Sequence, residues 1–277
     1  MSLAACEPPP AGRPRSAVAT AAASADAAPP AGPALRFLGA AEGQLDVDAL
    51  AALPGAGVVQ AAPPGASAPV AWRGVPLRAA LQQGFGAGWR AADELLFTCL
   101  DGYQPALPVA TALAGAPWLV WARADGAPFR HTLPGHAAPV ALGPLYLVWP
   151  GTPPEKAQWP YQVTAVETIN FSERFAGLVP AADAPAAVRA GFDVWRTHCH
   201  KCHRLQGLGG TIGPELGRPV GVLDYWQPAM LRRWLRAPQS IREGSPMPPV
   251  ALNEAELDTL FAYLRDRSGT PPGQATP

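Results

Sequence analysis

Short apolar runs separated by turn residues make up the chain between residues 35 and 172. Runs of roughly four to eight residues rich in Val, Leu, Thr and aromatic side chains, bounded by Gly, Pro or Asp, are typical of β-strands. Asp-Gly pairs at 101–102 and 125–126 predict tight turns. On this pattern we predict strands at 95–99, 118–121, 145–149 and 162–169.

Helical segments interrupt these strands. Leu77 to Gln83 follows Gly74 and Pro76 and predicts one helix, and Asp46 to Leu53 predicts a short helix with Asp46 as its N-cap. Several short strands with few helices predict an α+β domain over residues 35–172.

The spacing of apolar residues becomes helical between residues 183 and 269. One stripe comprises Val188, Phe192 and Trp195, a second Met230, Leu231, Trp234 and Leu235, and a third Leu257, Leu260, Phe261 and Leu264. The middle helix is expected to end before Pro238. Asn253, followed three residues later by Glu256, predicts a capping box at the start of the last helix. We therefore predict an all-α second domain.

The remaining segments are predicted to lack a core. Residues 7–34 carry almost no large apolar side chain, so they cannot bury enough surface to offset their ordering entropy. We predict a disordered Ala/Pro-rich tether over 1–34, a linker at 173–182 and a disordered tail at 270–277. No run of about eighteen apolar residues occurs, so no transmembrane helix is expected.

The segment Cys199-His200-Lys201-Cys202-His203 reads C-x-x-C-H, the attachment signature of a c-type haem. The two thiols would bind one haem covalently, and His203 would ligate its iron. A thioredoxin-like pair would need a strand before the motif and a helix opening at it. A zinc site would need a second ligand pair that the chain, with 4 Cys and 5 His, does not supply. His198 and His200 are expected to face solvent or the haem edge.

Met247 is the candidate second iron ligand. It lies in Ser245-Pro246-Met247-Pro248-Pro249, where prolines would fix the backbone of the loop, and a thioether suits haem iron. The alternative is a core-filling methionine. With His203 and Met247 both bound, the iron would have no open site, which favours electron transfer.

The second domain resembles a class I cytochrome c. The resemblance implies that its first and last helices cross with Gly191 against Tyr263. It also implies that the Pro214 carbonyl, in Ile212-Gly213-Pro214-Glu215-Leu216, accepts the imidazole proton of His203.

The first domain resembles the molybdopterin-binding domain of the sulfite oxidase fold. The resemblance rests on the order of Trp72-Arg73-Gly74-Val75-Pro76-Leu77, Asp101-Gly102-Tyr103, Leu119 to Gly126, Gly143-Pro144-Leu145 and Val148-Trp149-Pro150. In that family a cysteine before the first of these segments ligates molybdenum, but residues 55–71 hold none. An arginine of that family is replaced by Tyr146, and Cys99, in a strand, reads as a buried apolar residue. These departures argue against a molybdenum cofactor.

The sequence thus predicts an exported monohaem electron carrier whose first domain is a scaffold or docking module. A molybdenum oxidoreductase of sulfite-dehydrogenase type, passing electrons to its own haem, is the alternative; a binding module with a redox-sensing haem is a third.

Leu3-Ala4-Ala5-Cys6 resembles a lipobox, so we expect a periplasmic protein with a lipid anchor at Cys6 and redox partner proteins in the periplasm. The net charge of zero gives no indication of nucleic acid. His131 and His136, in a Gly/Pro-rich loop, could hold a metal, but an ordinary polar loop is favoured.

Overall fold

A computed structural model describes residues 34–39 and 42–268. Cys6, nearly all of the predicted tether and the predicted tail at 270–277 lie outside the described residues. Residues 34–169 are called the N-terminal region below, and residues 171–268 the C-terminal region.

Short strands dominate the N-terminal region. They are β1 (Leu35–Leu38), β2 (Gly43–Leu45), β3 (Gly57–Ala61), β4 (Val70–Pro76), β5 (Glu94–Cys99), β6 (Ala106–Pro108), β7 (Trp118–Arg123), β8 (Arg130–His131), β9 (Val140–Ala141), β10 (Tyr146–Val148) and β11 (Val163–Ile169). The helices are α1 (Val47–Ala51), α2 (Leu77–Phe85) and α3 (Val109–Gly115), with 3-10 turns at Gly86–Ala91 and Pro154–Lys156. Asp46 caps α1, because its Oδ1 accepts from Ala49 N at 2.7 Å.

The strands pair into separate sheets. One sheet has the order β2-β1-β11-β5-β6, in which β1 and β11 are parallel and the other neighbours antiparallel. Another has the order β10-β7-β4-β3 and is antiparallel throughout, while β8 and β9 form a small ladder. The predicted strands are present as β5, β7, β10 and β11, and the prediction of a mixed α+β region is confirmed. The periodicity did not predict β3, whose side chains are largely exposed.

A large apolar core lies between these elements, and it includes the rings of Trp72 and Tyr146, which meet edge to face. Cys99 is in this core with 3% of its surface exposed, so the prediction of a buried apolar cysteine is confirmed. Burial is the main cause that raises the pKa of its thiol far above the usual range.

Helices dominate the C-terminal region. They are α4 (Phe171–Arg174), α5 (Ala186–His198), α6 (Val222–Tyr225), α7 (Pro228–Arg236), α8 (Pro238–Ile241) and α9 (Glu254–Arg267), with a 3-10 turn at Ala176–Leu178. The region also holds a short ladder of β12 (Arg204–Leu205) and β13 (Leu208–Gly209), which the prediction of an all-α domain did not include. Left-handed backbone at Gln206 and Gly207 makes the tight turn that joins these two strands.

Helices α5 and α9 pack closely, as the resemblance to class I cytochromes implies for the first and last helices. Gly191 makes this contact possible, because a Cβ there would collide with the Thr259 carbonyl and lie 2.8 Å from Tyr263 Cβ. The predicted capping box of α9 is confirmed: Asn253 N donates to Glu256 Oε2 at 2.8 Å, and Glu256 N donates to Asn253 Oδ1 at 2.9 Å.

The two regions are joined within one compact unit. Phe175 and Leu178, from the segment predicted as a linker, are buried in the core of the C-terminal region together with Leu96 of β5. Tyr263 Oη donates to Leu178 O at 2.8 Å and fastens this segment to α9. The domain bounds stay a prediction. None of the helices within 34–39 and 42–268 is long and apolar enough to cross a membrane.

Candidate functional site

The C-x-x-C-H segment is a tight turn at the end of α5. Cys199 N donates to Trp195 O at 2.8 Å, and His203 N donates to Cys199 O at 2.9 Å. The motif therefore follows a helix. A thioredoxin-like dithiol opens a helix at its first cysteine, so this local geometry does not fit that alternative.

The two thiols are held in their protonated form. Burial, and after it Cys202, raises the pKa of Cys199 to about 12, and burial also raises the pKa of Cys202. A reactive dithiol needs a lowered pKa on the attacking cysteine. The electrostatics therefore argue against a disulfide-exchange site and leave the thiols available for covalent attachment of a group.

His203 is oriented by one hydrogen bond. Its Nδ1 lies 2.8 Å from Pro214 O, the contact that the resemblance to class I cytochromes implies. A carbonyl can only accept, so Nδ1 carries the proton and Nε2 keeps its lone pair. Burial lowers the pKa of His203, and the bond to Pro214 only partly opposes this. The imidazole is thus neutral and has a free nitrogen, as a metal ligand must.

Because Gly213 has no side chain, its loop packs closely against the His203 ring. A Cβ at Gly213 would collide with His203 Cε1 and lie 2.6 Å from Nδ1 and 2.8 Å from Nε2. Gly213 N also donates to Cys202 O at 2.8 Å, which ties the loop to the attachment turn. Two thiols and an oriented neutral imidazole fit a covalently bound haem, for which Cys199, Cys202 and His203 are the candidate residues.

Met247 lies on the loop between α8 and α9. Gln239 Nε2 donates to Met247 O at 2.9 Å, and Trp234 Nε1 donates to Met247 Sδ at 3.1 Å. Met247 packs, half-buried, against the same apolar cluster as Cys199. The sequence interpretation assigned Trp234 to the apolar stripe of α7 and did not foresee its bond to sulfur. The indole N–H, which needs a partner when covered, was the available signal.

His200 is not at the surface, so the expectation that it faces solvent is wrong. It is 2% exposed, and its ring lies 4.5 Å from that of Phe175 and 5.1 Å from those of Phe171 and Trp195. Burial, then Arg196 and Arg174, lowers the pKa of His200 to about 4. Phe175 of this cage comes from the predicted linker and Phe171 from the residues just before it, so the sequence near the motif could not reveal these two rings.

A cavity of about 310 Å³ opens beside His200, between the two regions. Its lining includes Glu94, Gln158, Phe171, Arg196, His200 and Lys201. Arg196 Nη2 donates to Glu94 Oε1 at 2.8 Å, and its guanidinium lies 4.0 Å from the ring centre of Phe171. Glu94 Oε2 and His200 Nε2 are buried without a hydrogen-bond partner among the residues that the structure describes. The sequence did not predict this bridge between β5 and α5.

The histidine loop of the N-terminal region has ordinary contacts. His131 Nε2 lies 3.0 Å from Pro64 O, and His136 Nδ1 lies 3.4 Å from Pro134 O. Within residues 34–39 and 42–268, no three His, Cys, Asp or Glu side chains gather in a way that could hold a metal ion. Tyr146, at the position where the resemblance to the sulfite oxidase fold would imply an arginine, is fully buried, and burial raises the pKa of its hydroxyl.

Comparison with known proteins identifies the C-terminal region. Residues 186–264 match the family described as cytochrome c oxidase, cbb3-type, subunit III. The chain is 27% identical over 121 residues to cytochrome c oxidase subunit 2 of Alkalihalophilus pseudofirmus; the match covers 40% of this chain and 35% of that protein. The chain thus spans about a third of the length of the curated relative it matches.

These matches make the C-terminal region a class I cytochrome c domain similar to that of cbb3-type subunit III. Such a domain implies haem and indicates haem-based electron transfer. The resemblance of the N-terminal region to the sulfite oxidase fold stays a prediction.

Proposed function

We propose that this protein is an exported electron carrier with one covalent haem c, attached at Cys199 and Cys202 and ligated by His203 and Met247. The observation that carries the proposal is the pairing of His203 Nδ1 with Pro214 O at 2.8 Å beside Gly213. Because Nδ1 donates to Pro214, Nε2 of the neutral imidazole beside the C-x-x-C motif keeps its lone pair for a metal. The haem, when bound, supplies reversible one-electron exchange.

Met247 supports electron transfer over chemistry on a bound substrate. Its loop is fixed by Gln239 and Trp234, so the thioether is presented by an ordered backbone rather than a free segment. His203 and Met247 would together hold the haem iron, and a thioether ligand would raise its reduction potential. The matching family and the relative of Alkalihalophilus pseudofirmus are both named as cytochrome c oxidase components, which supports a redox protein as partner.

We propose that the N-terminal region is a scaffold or docking module. The molybdenum-dependent alternative requires a thiolate ligand, and residues 55–71 hold no cysteine. Cys99 lies in β5, buried, with a strongly raised pKa, so its thiol is protonated and badly suited to bind molybdenum. Metal analysis of the purified, haem-loaded protein tests this: we expect one iron and no molybdenum per chain, and stoichiometric molybdenum would favour the enzyme.

The haem proposal is tested in a host that exports and matures c-type cytochromes. The mass of the chain should increase by one haem, and the reduced protein should show sharp low-spin visible bands. Met247→Ala should lose the sulfur-to-iron charge-transfer band and lower the potential, because a thioether ligand raises it. Met230, a partly exposed methionine on α7, provides the matched control. Equal spectra for Met230→Ala and Met247→Ala would contradict ligation by Met247.

The proposed location is the periplasm, with an acylated Cys6 as membrane anchor. The support is the lipobox-like Leu3-Ala4-Ala5-Cys6 and the export that c-type haem attachment requires. Expressed behind an export leader, the wild type should sediment with membranes and Cys6→Ser should become soluble. An unchanged distribution would contradict the anchor without affecting the haem proposal.

A further inference from the structure

The turn between β5 and β6, residues 100–105 and hereafter the 100–105 turn, touches the attachment segment directly. Gln104 N donates to Lys201 O at 2.8 Å, and Thr211 N donates to Gly102 O at 2.9 Å. Lys201 lies between the two attachment cysteines, and Thr211 begins the loop that leads to Pro214. The N-terminal region is therefore hydrogen-bonded to two segments of the haem site.

The backbone links these two contacts to His203 over a few residues. The loop from Thr211 continues to Gly213, whose N–H donates to Cys202 O at 2.8 Å, and then to Pro214, which accepts from His203. A shift of the 100–105 turn would move this loop and the attachment turn together. Tyr103 lies between the two contacting residues of the turn and is itself partly buried.

We propose that the 100–105 turn is a positioning element of the haem site, through which the N-terminal region sets the reduction potential of the haem. This inference rests on the proposed function and deepens it, because it gives the N-terminal region a defined effect on the redox group. The turn holds Lys201 and Thr211 in place and limits the access of water near Cys202. Solvent access and local dielectric control the potential of a metal site, so opening this side would lower the potential.

The two Asp-Gly turns of the chain offer a matched test. Gly102 has φ +88° and Gly126 has φ +77°, so alanine is strained at either position. In both turns the aspartate Oδ1 accepts from the backbone N–H two residues later, at 2.9 Å in Tyr103 and 3.1 Å in Ala127. A Cβ at Gly102 would collide with Thr211 Oγ1, but a Cβ at Gly126 would meet nothing within 4 Å. Backbone strain is therefore common to both variants, and only Gly102→Ala disturbs the haem loop.

The potential is measured for the wild type, Gly102→Ala and Gly126→Ala, each as the full haem-loaded chain. We expect Gly102→Ala to lower the equilibrium constant for reduction at least threefold relative to Gly126→Ala, about 28 mV for one electron. Hydrogen exchange should show lost protection of the Gln104 and Thr211 amides in Gly102→Ala alone. Equal potentials in the two variants would overturn the proposal.

Thr211→Ala provides the rescue. Thr211→Ala removes the hydroxyl with which a Cβ at position 102 would collide. The nearest remaining atom, Cβ of residue 211, would then lie 3.1 Å from that Cβ. The double variant Gly102→Ala/Thr211→Ala should recover most of the lost potential, measured against Thr211→Ala alone. If Gly102→Ala fails to load haem while Gly126→Ala loads it, recovery of loading in the double variant supports the proposal and continued failure overturns it. A wild type that never acquires haem would instead refute the proposed function.

Discussion

Cys99 in the N-terminal region and Cys199 in the C-terminal region are both buried, 3% and 9% exposed, and burial is the main cause that raises the pKa of each thiol. Neither burial nor acidity distinguishes them. Cys99 ends a strand, and its backbone N–H bonds to the carbonyl of Tyr103 across the next turn. Cys199 ends a helix, and the following turn brings Cys202 and His203 beside it.

The difference shows that the role of a thiol here depends on the backbone that follows it. The turn after Cys99, residues 100–105, contains no second cysteine and no histidine, whereas the turn after Cys199 brings Cys202 and His203 beside it. The N-terminal region contacts the C-terminal region through hydrogen bonds at Gly102, Gln104 and Glu94 and through the buried Leu96. Three variants test how separate the two regions are, beginning with the largest expected effect.

Gly191→Val should destabilise the C-terminal region most. Its side chain would push α5 from the Thr259 carbonyl of α9, and a backbone group cannot move aside as a side chain can. We expect a loss of about 3 kcal/mol or more in the free energy of unfolding by urea. Ala190→Val, at an exposed position of α5, should change it by roughly 0.5 kcal/mol or less.

Hydrogen exchange on the same variants compares the two regions. In Gly191→Val we expect amides of α5 and α9 to lose protection while those of β4 and β7 keep theirs. Equal loss of protection in both regions would show that they unfold as one cooperative unit. The two regions would then differ in the chemistry of their side chains but not in their stability.

His200 should make stability depend on pH. Its pKa is about 4 in the folded protein, against roughly 6.5 in an unfolded chain. Between these values the unfolded chain binds a proton that the folded protein does not, so stability is lost as pH falls from about 6.5 to about 4. The loss from this group is about 3 kcal/mol at most.

The measurement is the urea midpoint of the haem-loaded protein from pH 7 to pH 4. His200→Leu should flatten the slope, while His136→Gln, at an exposed position, should keep it. Arg196, Arg174, Glu94, Asp193 and Lys201 lie around His200 or its cavity and are unchanged in both variants. A slope that survives in His200→Leu would assign the effect to those groups.

The sequence predicted those parts of the molecule that depend on neighbours along the chain. The capping box at Asn253, the cap at Asp46 and the strand at Cys99 rest on local spacing, which a single sequence contains. The bridge from Glu94 to Arg196 joins residues 102 positions apart, and no local pattern indicates it. The cage around His200 was missed for the same reason, since Phe171 and Phe175 belong to a segment without helical or strand periodicity.

Breaking the bridge between the regions should have the smallest of the three effects. Glu94 is buried on β5, with 10% of its side chain exposed, whereas 38% of the Arg196 side chain is exposed. Arg196→Met keeps an unbranched chain over Phe171 but leaves the carboxylate without its counter-ion. We expect a cost of about 2 kcal/mol, less than for a fully buried pair because water partly screens the arginine.

Glu94→Gln/Arg196→Met separates the attraction between the two groups from the penalty of an unpaired charge. If desolvation of the carboxylate dominates, removing its charge should restore most of the stability, so the double variant would be more stable than Arg196→Met alone. Urea unfolding of the four proteins of this cycle gives the coupling. A double variant as unstable as the sum of the single changes would mean that Glu94 and Arg196 act independently. The 100–105 turn would then be the stronger of the two connections between the regions.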